Sequence, residues 1–199
     1  MEGSTIISVI LFAILMTGTP GPNNMMVTAS GANFGYWRSV PHITGISVGM
    51  ACMISLLAAG LGIIFERYPM VHEVLKVVGC AYLLYLAWKI ATAGSMSKTE
   101  QKVKAKPMSV FSAALFQYVN PKAWMMSATA VSTFAVSGEH YWLSISMIVT
   151  IFFVVGFVCV SLWTATGVVI RHWLTSERRT MRFNQTMGAL TAACVVMIW

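Results

Sequence analysis

Apolar residues run along this chain in long blocks, and two of those blocks are interrupted by proline. The blocks extend approximately from Thr5 to Phe34, His42 to Phe65, Val71 to Ile90, Met108 to Val136, Tyr141 to Ile170 and Phe183 to Trp199. A membrane-spanning helix needs about 20 mostly apolar residues, so the pattern predicts six transmembrane helices and an all-α integral membrane fold. The first and fourth blocks are too long for one straight span. Each contains a break, Thr19-Pro20-Gly21-Pro22-Asn23-Asn24 in the first and Gln117-Tyr118-Val119-Asn120-Pro121-Lys122 in the fourth. Each is expected to form a half-helix, an irregular turn near the bilayer midplane and a second half-helix. Lipid cannot satisfy free backbone N–H and C=O groups, so such a break is tolerated only where protein or a watery cavity covers it. A matched pair of Gly/Pro-interrupted segments in the two halves of a chain points to the binding site of a secondary transporter.

The matching suggests duplication. Shifting the first half by 99 residues lays Pro22 on Pro121, Met25-Met26 close to Trp124-Met125, and the second span on the fifth. The third and sixth spans align less well. Three spans per repeat is an odd number, so the two repeats are expected to be inverted relative to each other. The predicted organisation is a single transporter domain over residues 1–199, with repeat one at 1–93, a linker at 94–107 and repeat two at 108–199.

Composition agrees with the pattern. The 199 residues are 57% hydrophobic and only 10% charged, with a mean hydropathy of +0.74, against roughly 25% charged residues in soluble domains. Little chain is left for a soluble domain. The net charge of +7 does not argue for nucleic acid, because the basic residues flank the apolar spans and act there as topology signals. The loops after spans one, three and five carry Arg38; Lys89, Lys98, Lys102, Lys104 and Lys106; and Arg171, Arg178, Arg179 and Arg182. The opposite side carries Arg67 and Lys76, balanced by Glu66, Glu73 and Glu139. The positive-inside rule therefore makes the basic side cytoplasmic and puts both termini outside. Ile6 to Met16 could pass for the core of a leader peptide. The acidic Glu2 and the absence of a small-x-small site before Thr19-Pro20 favour a first span instead. Cys52, Cys80, Cys159 and Cys194 stand singly, without C-x-x-C spacing, and are expected to be small core residues.

Lys122 is the charged residue nearest the middle of any predicted span. A central lysine costs roughly 2.5–3.5 kcal/mol on insertion scales, so function is the default expectation. It lies some 14 residues beyond Met108, roughly 20 Å at 1.5 Å per residue, too deep for an easy reach to the interface. Pro121 suits the first helical position and Asn120 the cap before it. In the other break, Thr19 or Gly21 is the expected cap, with Pro20 or Pro22 first in the helix. Two helix N-termini and one ammonium suit a carboxylate. Half-helix carbonyls near Thr17 and Gly18, or Gln117 and Tyr118, with the amides of Asn23, Asn24 and Gln117, could accept from an ammonium group. A zwitterion satisfies both ends. The expected substrate-binding set is Thr19, Pro20, Gly21, Pro22, Asn23, Asn24, Gln117, Asn120, Pro121 and Lys122.

Other features have plainer readings. Gly45-x-x-x-Gly49 and Gly31-x-x-x-Gly35 permit close helix approach. Trp37, Tyr68, Trp142, Trp173 and Trp199 fall near predicted interfaces, as belt residues do. His42, His72, His140 and His172 sit at span ends away from buried carboxylates and are assigned no catalysis. No G-x-x-x-x-G-K-[ST] motif supplies a P-loop.

Three motifs together carry a resemblance. Thr19-Pro20-Gly21-Pro22-Asn23-Asn24, Lys76-x-x-Gly79-x-x-Tyr82-Leu83-x-x-Leu86 leading to Trp88-Lys89, and Asn120-Pro121-Lys122 resemble the lysine-exporter (LysE) superfamily, specifically its RhtB-type amino-acid exporters. The segment from Trp88-Lys89-Ile90-Ala91-Thr92 through Lys106-Pro107 to Gln117-Tyr118-Val119-Asn120 is most similar to cysteine and O-acetylserine exporters. The resemblance implies amino-acid efflux across the bacterial inner membrane, driven by the proton motive force. The chain has no Asp, and no Glu deeper in a span than Glu73 at the edge of the third, which leaves Lys122, a substrate proton or gradient-driven uniport to provide coupling. The implied partners are an amino-acid substrate, the lipid bilayer and, for the assembled protein, a homodimer, with no nucleic acid and no cofactor. Rival classes fare worse. A membrane-embedded enzyme needs a nucleophile with a base, paired carboxylates or a histidine cluster at depth. A channel, unlike an exporter or an interaction subunit, would show rings of acidic or amide residues along a pore.

Overall fold

A computed structural model describes residues 3–61, 67–93 and 106–198, so most of the linker expected at 94–107 lies outside the described residues. No strand occurs among those residues. The helices are α1 (Gly3–Gly18), α2 (Pro22–Phe34), α3 (Tyr36–Leu56), α4 (Pro69–Thr92), α5 (Val110–Phe116), α6 (Pro121–Phe134), α7 (Tyr141–Arg171) and α8 (Glu177–Ala193). A π-helical turn, Leu57–Leu61, prolongs α3, and 3-10 turns prolong α5 over Gln117–Val119 and α8 over Cys194–Ile198.

Local chemistry sets the ends of these helices. Proline occupies the first position of α2 and of α6, where its missing N–H costs nothing and its fixed φ suits the helix. Ser109 and Ser176 cap α5 and α8, their hydroxyls accepting from the amides of Ser112 at 3.1 Å and Arg179 at 3.3 Å. Gly35, at φ +86°, turns the chain from α2 into α3 in a single residue. The sequence reading started the second span at His42, just after Pro41, but α3 begins at Tyr36. Pro41 lies inside α3, where it removes one helical donor, the one that would serve the Trp37 carbonyl.

Three described stretches are long and apolar enough to cross a bilayer: Tyr36–Leu61, Glu73–Thr92 and Gly138–Arg171. Taken together across their 61° bend, α1 and α2 make a fourth. The sequence pattern had predicted six. The remaining two expected spans are divided differently. Val110–Val119 is a short apolar helix ending at the second break, and α8 starts on Glu177, Arg178 and Arg179, ahead of its apolar part.

The main contacts join the two halves of the chain. Helix α7 packs against α1, α2 and α3, α5 packs against α3, and α4 packs against α8. Lipid is as apolar as a protein core, so these helices associate through close packing and interhelical hydrogen bonds. A Cβ on Gly31 would overlap the Thr164 carbonyl, and one on Gly167 would overlap the Thr28 carbonyl, so glycine on each helix lets α2 and α7 meet backbone to backbone. Gly45 and Gly49 do the same for α3 against α5. Gly31-x-x-x-Gly35 therefore divides its labour: Gly31 packs and Gly35 turns. Val9, Met53, Ile54, Ile148 and Phe152 form a buried core where α1, α3 and α7 converge. The cysteines are not core residues as expected. All are free, Cys52 is exposed, and the other three are half-buried, with Cys194 packed against the core cluster of Met26, Leu83, Leu86 and Phe116.

Candidate functional site

The two breaks meet. Helix α1 ends at Gly18, and its terminal carbonyls find partners from three other parts of the chain. The Asn24 side-chain amide donates to Thr17 O at 3.0 Å and Thr19 O at 2.7 Å. The Trp163 indole of α7 donates to Gly18 O at 3.0 Å. The Lys122 ammonium donates to Thr19 O at 2.7 Å, Thr19 Oγ1 at 2.9 Å and Pro20 O at 3.1 Å. A cation suits this place, because the last carbonyls of a helix carry its partial negative charge.

The helix starts on the other side of each break are not equivalent. At α6, the Asn120 side chain accepts from the Lys122 amide at 3.2 Å, and its carbonyl accepts from the Ala123 amide at 3.0 Å. That end is capped from within. At α2 the cap residue is Gly21, which has no side chain to offer, and Pro22 follows in the first position. The positive end of α2 therefore lacks a side-chain cap. Lys122 lies directly against it: a methyl group on Gly21 would sit 2.8 Å from Lys122 Cδ and 3.2 Å from Nζ. Glycine here gives the lysine stem its room, while the backbone at φ −176° is ordinary extended chain. The lysine thus spans the negative end of one half-helix and the positive end of the next.

A second polar link joins the breaks. Asn23 Nδ2 donates to Gln117 Oε1 at 2.9 Å, and Gln117 Nε2 donates back to Asn23 Oδ1 at 3.3 Å and to Ala113 O at 2.9 Å. Gln117 is completely buried, so these bonds replace water for both of its amide groups.

Around these groups is a cavity of about 40 Å³. Gly21, Pro22, Asn23 and Asn24 line it from the first break, and Gln117, Asn120 and Lys122 from the second. One water needs roughly 10–15 Å³, so the cavity has room for a few waters in this conformation. Of the ten residues expected at the site, these seven share the cavity. Thr19 and Pro20 are exposed and hold the lysine from outside the lining, and Pro121 only begins α6. The carbonyls expected to receive a substrate ammonium are engaged by the protein itself: Thr17 and Gly18 as described, Gln117 by the Asn120 amide at 3.2 Å, and Tyr118 by the Trp124 indole at 2.8 Å. Sequence reasoning missed Trp163, Ser47 and Phe152. Ser47 and Phe152 line the cavity. The available signal was an indole and a hydroxyl in the middle of apolar spans, each needing a buried partner.

The described residues are all helical or turn, and the ends of apolar helices meet around a small, mostly apolar cavity with a few polar groups, an arrangement that suits a membrane translocator. The chain belongs to the LysE type translocator family, whose profile matches residues 12–198. It is 29% identical over 192 residues to the cysteine/O-acetylserine efflux protein of Escherichia coli strain K12, covering 94% of each chain. Its similarity to the cysteine/O-acetylserine efflux protein of Salmonella typhi is 28% over 192 residues, again 94% of each. These relatives are transporters and not enzymes. No solved structure matches the chain significantly.

Proposed function

We propose that this protein is a secondary exporter of small amino acids across the bacterial inner membrane, driven by the proton motive force. In this reading the substrate carboxylate sits between Lys122 and the uncapped start of α2. The observation that carries it is the placement of the Lys122 ammonium beside Gly21, at the one helix N-terminus of the pair that has no side-chain cap. In the closed conformation Thr19 and Pro20 occupy the ammonium. A substrate carboxylate takes over part of that coordination, and the free N–H groups of the first turn of α2 supply the rest. Opening must enlarge the cavity and release some α1 carbonyls for the substrate ammonium.

The reading includes six spans in two inverted repeats, with α1 and α2 as one broken span and α5 and α6 as the other. Reciprocal packing supports this: the first half-helix of each repeat lies on the long helix of the other, α1 on α7 and α5 on α3. The repeats occupy 1–93 and 108–199, and both termini face the periplasm. Thr19 and Pro20 are exposed on the single chain, and irregular backbone at membrane depth needs a cover, which a homodimer supplies. The names of the efflux relatives favour cysteine and O-acetylserine as substrates. Counterflow in reconstituted vesicles tests the function. Preloaded cysteine or O-acetylserine should drive uptake of labelled substrate, and its absence across an amino-acid panel would overturn the proposal.

A further inference from the structure

A second cavity, of about 330 Å³, lies toward the basic end of the helices. It falls within the roughly 300–1,000 Å³ range of small-molecule sites. Its polar wall comes from Ser30 and Asn33 of α2, His42 of α3 and Lys89 of α4, with Lys106 at the segment leading into α5. Two of these groups, Ser30 and Asn33, are already paired. Ser30 Oγ is 2.7 Å from Ser39 Oγ, and Asn33 exchanges two hydrogen bonds with Asn184 at 2.8 and 3.2 Å, while Asn184 also donates to the Ala93 carbonyl.

His42 is not. It is 98% buried, yet neither ring nitrogen has a hydrogen-bond partner in the described structure. Leaving a buried polar group unsatisfied costs on the order of 1–3 kcal/mol, which a bound ligand would recover. The charged residues lining the cavity, Lys89 and Lys106, are both positive, and no acidic residue lines it. The apolar remainder includes Met26, Leu86, Ile90 and Met108, so an anion held there would be partly desolvated and paired with the lysines. Helices α2 and α3 line both this cavity and the smaller one: on α3, Ser47 of the smaller cavity follows His42 by five residues, roughly 7–8 Å at 1.5 Å per residue.

We propose that this cavity is a second substrate site on the cytoplasmic side, in which the His42 ring N–H and the Lys89 and Lys106 ammonium groups receive the amino-acid carboxylate before the midplane site takes it. The assignment of the ligand rests on the exporter reading above. The site explains how a substrate can be collected while the midplane cavity is shut. A basic vestibule concentrates the anionic end of a zwitterion, and His42 orients it.

The test uses detergent-solubilised protein carrying ring-labelled histidine. The chain has four histidines, and the His42 signals are identified from His42→Asn. O-acetyl-L-serine at saturation should shift the His42 ring resonances in the parent and equally in Lys122→Gln, whereas chloride and the methyl ester of O-acetyl-L-serine should not. Calorimetric binding with His42 unmoved overturns the second site and leaves the exporter reading intact. A shift lost in Lys122→Gln assigns it to the midplane and also overturns the site. An equal shift with chloride or the ester refutes the carboxylate assignment. Absence of binding by either measurement overturns both readings.

Discussion

Asn23 and Gln117, 94 residues apart in sequence, face each other across the two breaks and exchange amide hydrogen bonds at 2.9 and 3.3 Å. The pair ties the start of α2 to the end of α5. Truncating one partner leaves amide groups of the other unpaired, fully buried for Gln117 and half-buried for Asn23, at a cost of roughly 1–3 kcal/mol. Asn23→Ala and Gln117→Leu should each lower stability by about that amount, and the double variant by less than the sum. Denaturation in mixed micelles reads the coupling, expected at about 0.5–3 kcal/mol. Strict additivity would mean that the pair does not join the breaks.

Gly31 and Gly167 set the distance between α2 and α7. A leucine at either position collides with backbone that cannot move without separating the helices, and overpacking of this kind typically costs about 1–3 kcal/mol or more. Gly31→Leu and Gly167→Leu should melt well below the parent. Gly18→Ala is the control, because a methyl there meets no atom within 4 Å, and it should stay within about 0.5 kcal/mol. Similar melting of all three would contradict the packing.

Much of this was legible in the sequence, and the reasons are local. Pro22 and Pro121 mark helix starts because proline is tolerated there and not deeper. Asn120 reads as a cap for the same kind of reason, since its side chain can reach only the first-turn amides. The use of Lys122 was less legible. Its depth announced a role, but only the folded chain brings Thr19 to it, from 103 residues away. Gln117 and Asn24 looked like substrate contacts because they are polar and deep. In the closed state their hydrogen bonds go to the protein. Trp163 was overlooked because it lies inside a long apolar run, and His42 was assigned no role because its place beside a proline suggested a span end.

Removing the proline of the second break should affect transport more than folding. Pro121→Ala permits a more continuous helix through Asn120, which would withdraw the capping turn that orients Lys122. Counterflow should fall at least several-fold while the melting temperature changes little. Transport equal to the parent's would remove the broken helix from the mechanism.

The orientation rests on ten basic loop residues on one side against Arg67 and Lys76 on the other. In a variant lacking the four native cysteines, Ser97→Cys should resist an impermeant thiol reagent applied to intact cells and react after permeabilisation. Labelling from outside would reverse the assigned topology.

The carboxylate role of Lys122 is the central claim, and binding by Lys122→Gln tests it most directly. Glutamine can still donate to the Thr19 carbonyl, so the end of α1 keeps a partner, but the positive charge beside Gly21 is gone. Losing one member of a buried charge pair costs about 2–5 kcal/mol of binding. Measured in a His42→Asn background, so that the second cavity does not contribute, Lys122→Gln should therefore remain folded, bind O-acetylserine or cysteine far more weakly, and no longer prefer the amino acid over its carboxamide. Normal affinity and unchanged preference, with only earlier melting, would show that the lysine serves to hold the two breaks together and would contradict the account.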